Sequence, residues 1–203
     1  MPRARAAGRG QGSRSMAVLV GDSLSQWYPV QQLPGNHIWL NQGISGDTTG
    51  GILNRLSAFA KAKPQTIYVM AGVNDLKKGL SDREILRNLN GIVQRLQAQN
   101  PGAQIVVQSI LPTRTKLIDN RRIAQLNNWI AAIAQRNSVA YLDLHQQFTD
   151  SDGMIRGELT TDGIHLSPQG YEVWQTALTR AEMRLAAKPQ TIAQSQALRS
   201  QSM

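Results

Sequence analysis

Four short polar blocks hold most of the side chains in this chain that could transfer an acyl group. Ser23 sits in Gly21-Asp22-Ser23, directly after an apolar run. Gly46 sits in "NQGISGDTTGG", residues 41–51, and Asn74 in "GVND", residues 72–75. Asp162 and His165 lie three apart in "TTDGIHLSP", residues 160–168. A carboxylate against one imidazole nitrogen fixes the tautomer, and the other nitrogen can then take a proton from a serine hydroxyl. Backbone N–H groups at flexible glycines and an amide side chain can meet the charge that develops on a carbonyl oxygen. Nucleophile, base, orienter and oxyanion donors are all present in type. Each block also has a plain structural reading. Ser23 or Asp22 could cap a helix, with Gly21 giving the turn its freedom. Asn74 could fill a turn at positive φ. Gly46 could be a turn glycine, with Asp47 or Thr48 capping the helix that follows. His165 could be a loop histidine with a local carboxylate partner.

The competing chemistries are thinly supported. His37, His145 and His165 are the only imidazoles, and the chain has no cysteine. Disulfides and thiolate metal sites are therefore excluded. Asp162 and His165 could supply two metal ligands, but no third ligand and no zinc spacing accompany them. The glycines of "GISGDTTGG" lack the Lys-Ser/Thr pair of a phosphate loop. His145, after the fifth apolar run, is the reserve candidate for the base. His37 precedes an apolar run and has no such placement.

Positioning these groups requires a scaffold, and the hydrophobic pattern describes one. Apolar runs at 16–21, 37–41, 66–71, 104–110 and 139–144 read as strands. Several are apolar almost throughout, as parallel strands covered on both faces are. Between them Ile85, Leu89, Ile92, Val93 and Leu96 form a helical stripe, opened by Ser81 and Glu84 as a capping box and ended by Asn100-Pro101-Gly102. Ile123, Leu126, Ile130 and Ile133 form a second stripe. A third helix opens at Pro168 and carries Tyr171, Trp174, Leu178 and Leu185. Alternating strands and helices predict an α/β fold, a three-layer α/β/α sandwich on a parallel sheet of about five strands. Loops at the carboxyl ends of such strands share one edge, so the four polar blocks should meet there.

The 203 residues suit one domain, expected over 16–187. The formal charge is +9, yet Arg3, Arg5, Arg9 and Arg14 lie in the first fifteen residues, without which it is about +5. Residues 1–15 read as a disordered basic segment, and translation starting at Met16 is an alternative reading of that end. The Gln/Ser-rich stretch 188–203 reads as a disordered tail. Few aromatics interleave with the basic residues, so the charge is read as a tail plus surface lysines and arginines, not as a nucleic-acid platform. No apolar run reaches transmembrane length, and a cytoplasmic setting is expected.

The blocks "GDSL" (21–24), "NQGISGDT" (41–48), "GVND" (72–75) and "DGIH" (162–165) resemble, in order, the four motif blocks of the GDSL, or SGNH, hydrolase family. The resemblance implies a flavodoxin-like α/β/α fold and esterase, lipase or thioesterase activity with neither cofactor nor metal. It implies Ser23 as nucleophile, His165 as general base and then acid, and Asp162 as its orienter. The oxyanion donors it implies are the N–H groups of Ser23 and Gly46 and the side-chain amide of Asn74. Gly46 is preferred over Gly43 because four residues separate Asn41 from the block's glycine. Within the family, "NQGISGDTTGGILNRL" and "FTDSDGMIRGELTTDGIHLSPQGY" resemble the acetylhydrolase branch, and "GISGDT" the thioesterase/lysophospholipase branch. The expected substrate is a small ester, of short-acyl or lysophospholipid type, with at most transient lipid contact and no nucleic acid. A carbohydrate O-acetylesterase is the alternative, and a non-catalytic scaffold keeping the fold is the alternative of another class. "SQWYPVQQLPG", after the nucleophile block, marks no branch and leaves substrate choice and oligomeric state open.

Overall fold

A computed structural model describes residues 15–35 and 37–187. The expectations for 1–15, Ser15 apart, and for 188–203 lie outside the described residues. Five strands, β1 (Met16–Gly21), β2 (Ile38–Gly43), β3 (Thr66–Met70), β4 (Gln104–Gln108) and β5 (Ala140–Leu142), form one sheet in the order β2-β1-β3-β4-β5. All four pairings are parallel. The crossovers hold α1 (Ser23–Gln26), α2 (Thr49–Arg55), α3 (Val73–Lys77), α4 (Asp82–Gln99) and α5 (Asn120–Arg136), and α6 (His145–Phe148) and α7 (Pro168–Ala187) follow β5.

The central strands are buried on both faces, and their side chains alternate between two cores. Val18, Val20, Ile67 and Val69 point to one core with Ile52 of α2, Ile85 and Leu89 of α4, and Ile123 and Leu126 of α5. Leu19, Tyr68 and Val106 point to the other with Leu24, Phe148, and Tyr171 and Trp174 of α7. This two-sided burial explains why the strands read as continuous apolar runs. Both long stripes become the buried faces of α4 and α5.

The differences from the expected elements are local. β2 starts at Ile38 and runs on to Gly43, because Asn41, Gln42 and Gly43 pair with Leu19, Val20 and Gly21. A half-exposed edge strand needs no apolar run, which is why its end was invisible to hydropathy. β4 stops at Gln108 and β5 has only three residues. At α4, the Glu84 N–H donates to Ser81 Oγ at 3.3 Å, the first half of the expected capping box. The strand order reverses at β1, which places a crevice at the carboxyl ends of β1 and β3. Among the described residues no helix is long and apolar enough to cross a membrane.

Candidate active site

The chain leaves β1 at Gly21, whose requirement is space, not turn freedom. A Cβ there would come within 2.6 Å of the Met70 carbonyl and closer still to Ser25 Oγ. Asp22, not Ser23, caps α1, its carboxylate accepting from the Leu24 N–H at 3.0 Å. Ser23 is therefore the first helical residue. Its N–H has no intrahelical partner, as for every first-turn amide.

His165 comes from the loop before α7. Ser23 Oγ lies 3.1 Å from its Nε2, a hydrogen bond linking residues 142 positions apart in the chain. On the other side of the ring, Nδ1 lies 2.6 Å from Asp162 Oδ2. A carboxylate accepts only, so Nδ1 carries the proton and Nε2 presents its lone pair to the serine O–H. Asp162 Oδ1 also accepts from the backbone N–H groups of Ile164 (2.9 Å) and His165 (2.8 Å). Partial burial works to raise this carboxyl, but the side-chain bond from His165, those two amides and the charge on His165 outweigh it and hold it at about 2. Asp22 is the opposite case. Burial pushes it up to about 6, against the pull of the Leu24 amide and the charge on His165. Its Oδ2 has no hydrogen-bond partner among the described residues.

The loop after β2 and the start of α3 close the third side. Gly46 adopts φ +76°, a left-handed conformation that favours glycine, and nothing lies within 4 Å of where a Cβ would stand. Gly43 is a poorer donor, since its N–H is already bonded to Asn41 Oδ1 at 2.8 Å. Asn74 is helical, and the positive φ of its block belongs to Gly72, at +129°. The Asn74 amide donates to the Asp47 carbonyl at 3.0 Å, which leaves its second N–H available. Next to it Asp75 is fully buried and accepts from both the N–H and the hydroxyl of Thr49. Burial raises the Asp75 carboxyl, and the bonds from Thr49 oppose the shift.

One guanidinium ties these segments together. Arg55 donates to Asp47 Oδ2 at 2.6 Å, to the Gln42 carbonyl at 2.8 Å and to the Gly21 carbonyl at 3.0 Å. It thus spans the end of β1, the end of β2 and the residue that anchors the Asn74 amide. Sequence reasoning passed over Arg55, because three bonds to an acid and two carbonyls leave no motif. It also passed over Trp27, whose place one helical turn after Ser23 was the available signal. The Trp27 ring lies 4.4 Å from that of His165, tilted by 32°.

The remaining histidines lie elsewhere. His37 bonds to Glu182 at 2.9 Å, before β2 and away from the carboxyl edge. His145 opens α6, and its Nδ1 faces Thr149 Oγ1. A crevice of about 640 Å³ opens at the amino ends of β4 and β5 and includes none of the site residues. Function is read from the convergent polar groups, not from cavity size. What the groups at the carboxyl edge can do together is pass a proton from a serine hydroxyl to a held imidazole, beside free N–H donors.

Comparison with known proteins bears on the family and the fold. Residues 6–173 match the model of the GDSL-like lipase/acylhydrolase family. The platelet-activating factor acetylhydrolase IB subunit alpha1 of Bos taurus is 31% identical over 191 residues, covering 85% of this chain and 77% of that protein. The alpha2 subunit of Gallus gallus is 32% identical over 167 residues, covering 76% of this chain and 70% of its own. A GDSL-like lipase from Bacteroides thetaiotaomicron has the same fold, with a TM-score of 0.80 at 20% identity, over 90% of this chain and 95% of that one.

Proposed function

The chain belongs to the GDSL-like lipase/acylhydrolase family and is an ester hydrolase, and from that premise we propose that it cleaves short-acyl carboxylic esters through an acyl-enzyme on Ser23. The observation that carries the reading is the continuous pair of bonds from Ser23 Oγ to His165 Nε2 (3.1 Å) and from His165 Nδ1 to Asp162 (2.6 Å). Ser23 attacks the ester carbonyl as its proton passes to Nε2. Asp162 then faces an imidazolium, which it holds in place without taking the proton. The N–H groups of Ser23 and Gly46 and the spare N–H of Asn74 receive the oxyanion. The imidazolium returns its proton to the leaving alcohol. Water, deprotonated by the same nitrogen, releases the acid and restores Ser23.

The name of the bovine relative, an acetylhydrolase, supports acetyl or another short acyl as the group transferred. A nitrophenyl ester series from acetyl to dodecanoyl, run with lysophospholipids and acetylated sugars, tests the reading. Hydrolysis of short esters that disappears in Ser23→Ala, with a fluorophosphonate attached to Ser23 in the parent protein, is the expected result. Folded protein that neither turns over nor takes the label would make it a scaffold. A preference for acetylated sugars would select the carbohydrate esterase instead.

A further inference from the structure

Trp27 is more than half exposed, yet its ring sits against His165 at 4.4 Å with a 32° tilt. Its backbone N–H donates to the carbonyl of Ser23 at 3.0 Å, which anchors its main chain one turn beyond the nucleophile. Ser23 engages one edge of the imidazole and Asp162 the other, and Trp27 covers a face. The charged groups around that ring are few. Asp162 bonds Nδ1, the buried Asp22 carboxylate couples to it through space, and Arg114, whose backbone N–H bonds the Gly163 carbonyl of the same loop, sends its guanidinium to Asp150 and the Ile155 carbonyl. When the serine proton arrives, the positive charge spreads over the whole ring, and the two bonded edges meet only part of it. An aromatic face within about 6 Å attracts such a cation, and indole does so best.

Resting on the acyl-transfer reading, we infer that Trp27 is a catalytic residue whose indole face stabilises the His165 imidazolium as the proton leaves Ser23. The interaction exists mainly in the charged state, so it acts on kcat more than on KM.

The test follows kcat and kcat/KM for nitrophenyl acetate from pH 5 to 9 in the parent, Trp27→Phe and Trp27→Leu proteins. Leucine should lower kcat by about three- to thirtyfold. It should also move the acid limb of the profile down by about half to one and a half pH units, because an imidazolium without its partner loses its proton sooner. Phenylalanine should fall between. A tryptophan that only keeps water off the ring predicts the opposite, since wetting the site favours the charged imidazole and moves the limb up. A second measurement does not depend on turnover. The emission of Trp27, taken as parent minus Trp27→Phe, should be quenched as His165 gains its proton, and the pH dependence should vanish in His165→Gln. An unmoved or upward limb, a loss confined to KM, or emission indifferent to His165 overturns the inference. A parent protein that hydrolyses no ester overturns the acyl-transfer reading itself.

Discussion

Replacing Asp22 by Asn should stabilise the fold above pH 6 and change little near pH 4. Asp22 is 1% exposed, and only one of its oxygens has a partner. Burial holds the carboxyl at about 6, against an ordinary 3.8. The folded chain therefore keeps this proton to higher pH than the unfolded chain does. Stability contributed by the group is fully present below about pH 4 and lost as pH rises through 6. A carboxyl displaced this far costs about 3 kcal/mol at pH 8, an upper figure because a buried group finds some relaxation. Asparagine keeps the oxygen that caps Leu24. Its N–H₂ can turn to Thr113 Oγ1, which lines the same small cavity and is buried without a partner among the described residues. Urea unfolding followed by fluorescence at pH 4, 6 and 8 reads the difference, with an unchanged m-value required for the comparison. The gap between variant and parent should open from near zero to about 3 kcal/mol as pH rises. A gap that is the same at pH 4 and 8, or a parent more stable at pH 8, would show that the carboxylate is not strained by burial. Turnover of the variant should fall at pH 8, because the charge that raises this cost also favours the imidazolium of His165.

Substitutions at three other positions probe the proposed site. Asn74→Ala should lower kcat by about 100- to 1000-fold with KM within about threefold, and steady-state kinetics giving near-normal kcat would remove Asn74 from the oxyanion donors. Arg55→Gln leaves the half-buried Asp47 carboxylate unpaired and should destabilise the fold by roughly 3 kcal/mol while lowering kcat at least about tenfold; Arg55→Lys should not restore it, since one ammonium lacks the planar fork that meets an acid and two carbonyls. Asp162→Asn should lower kcat by about a thousandfold or more with the unfolding midpoint little changed. Since Asp162 holds its proton off down to about pH 2, protonation of Asp162 itself should not set the acid limb of parent activity, which should lie well above that value.

Much of this was legible because it rests on repeated signals. Strands buried on both faces and helices buried on one leave periodic patterns, so β1, β3, β4, α4 and α5 stand out in the sequence. The carboxyl-edge rule then gathers Ser23, Asn74, Asp162 and His165 without coordinates. What was not legible is short or specific to distance. The four-residue α1 has no period, and its cap could be assigned to Ser23 or Asp22 on composition alone. The role of Gly21 depends on Met70 and Ser25 across the sheet, which spacing does not encode. Arg55 is one of many arginines in the sequence, and only the fold aims it at Gly21, Gln42 and Asp47.

The floor of the proposed site is markedly acidic, and this shapes how it must work. Asp22, Asp47 and Asp75 lie close enough that the latter two raise the carboxyl of Asp22. Arg55 neutralises Asp47, and Thr49 meets Asp75 with two donors, so Asp22 is left with the least compensation. A field of this sign favours the imidazolium that forms on His165 and opposes the oxyanion that forms with it. The two charges must therefore be served by different groups. Carboxylates below and beside the ring serve the cation. The oxyanion depends on donors fixed close by, where a short hydrogen bond outweighs a more distant charge. That is why the rigidity supplied by Arg55 bears on turnover as well as on folding. A small displacement of Gly46 or Asn74 would weaken the short bonds while leaving the opposing field intact.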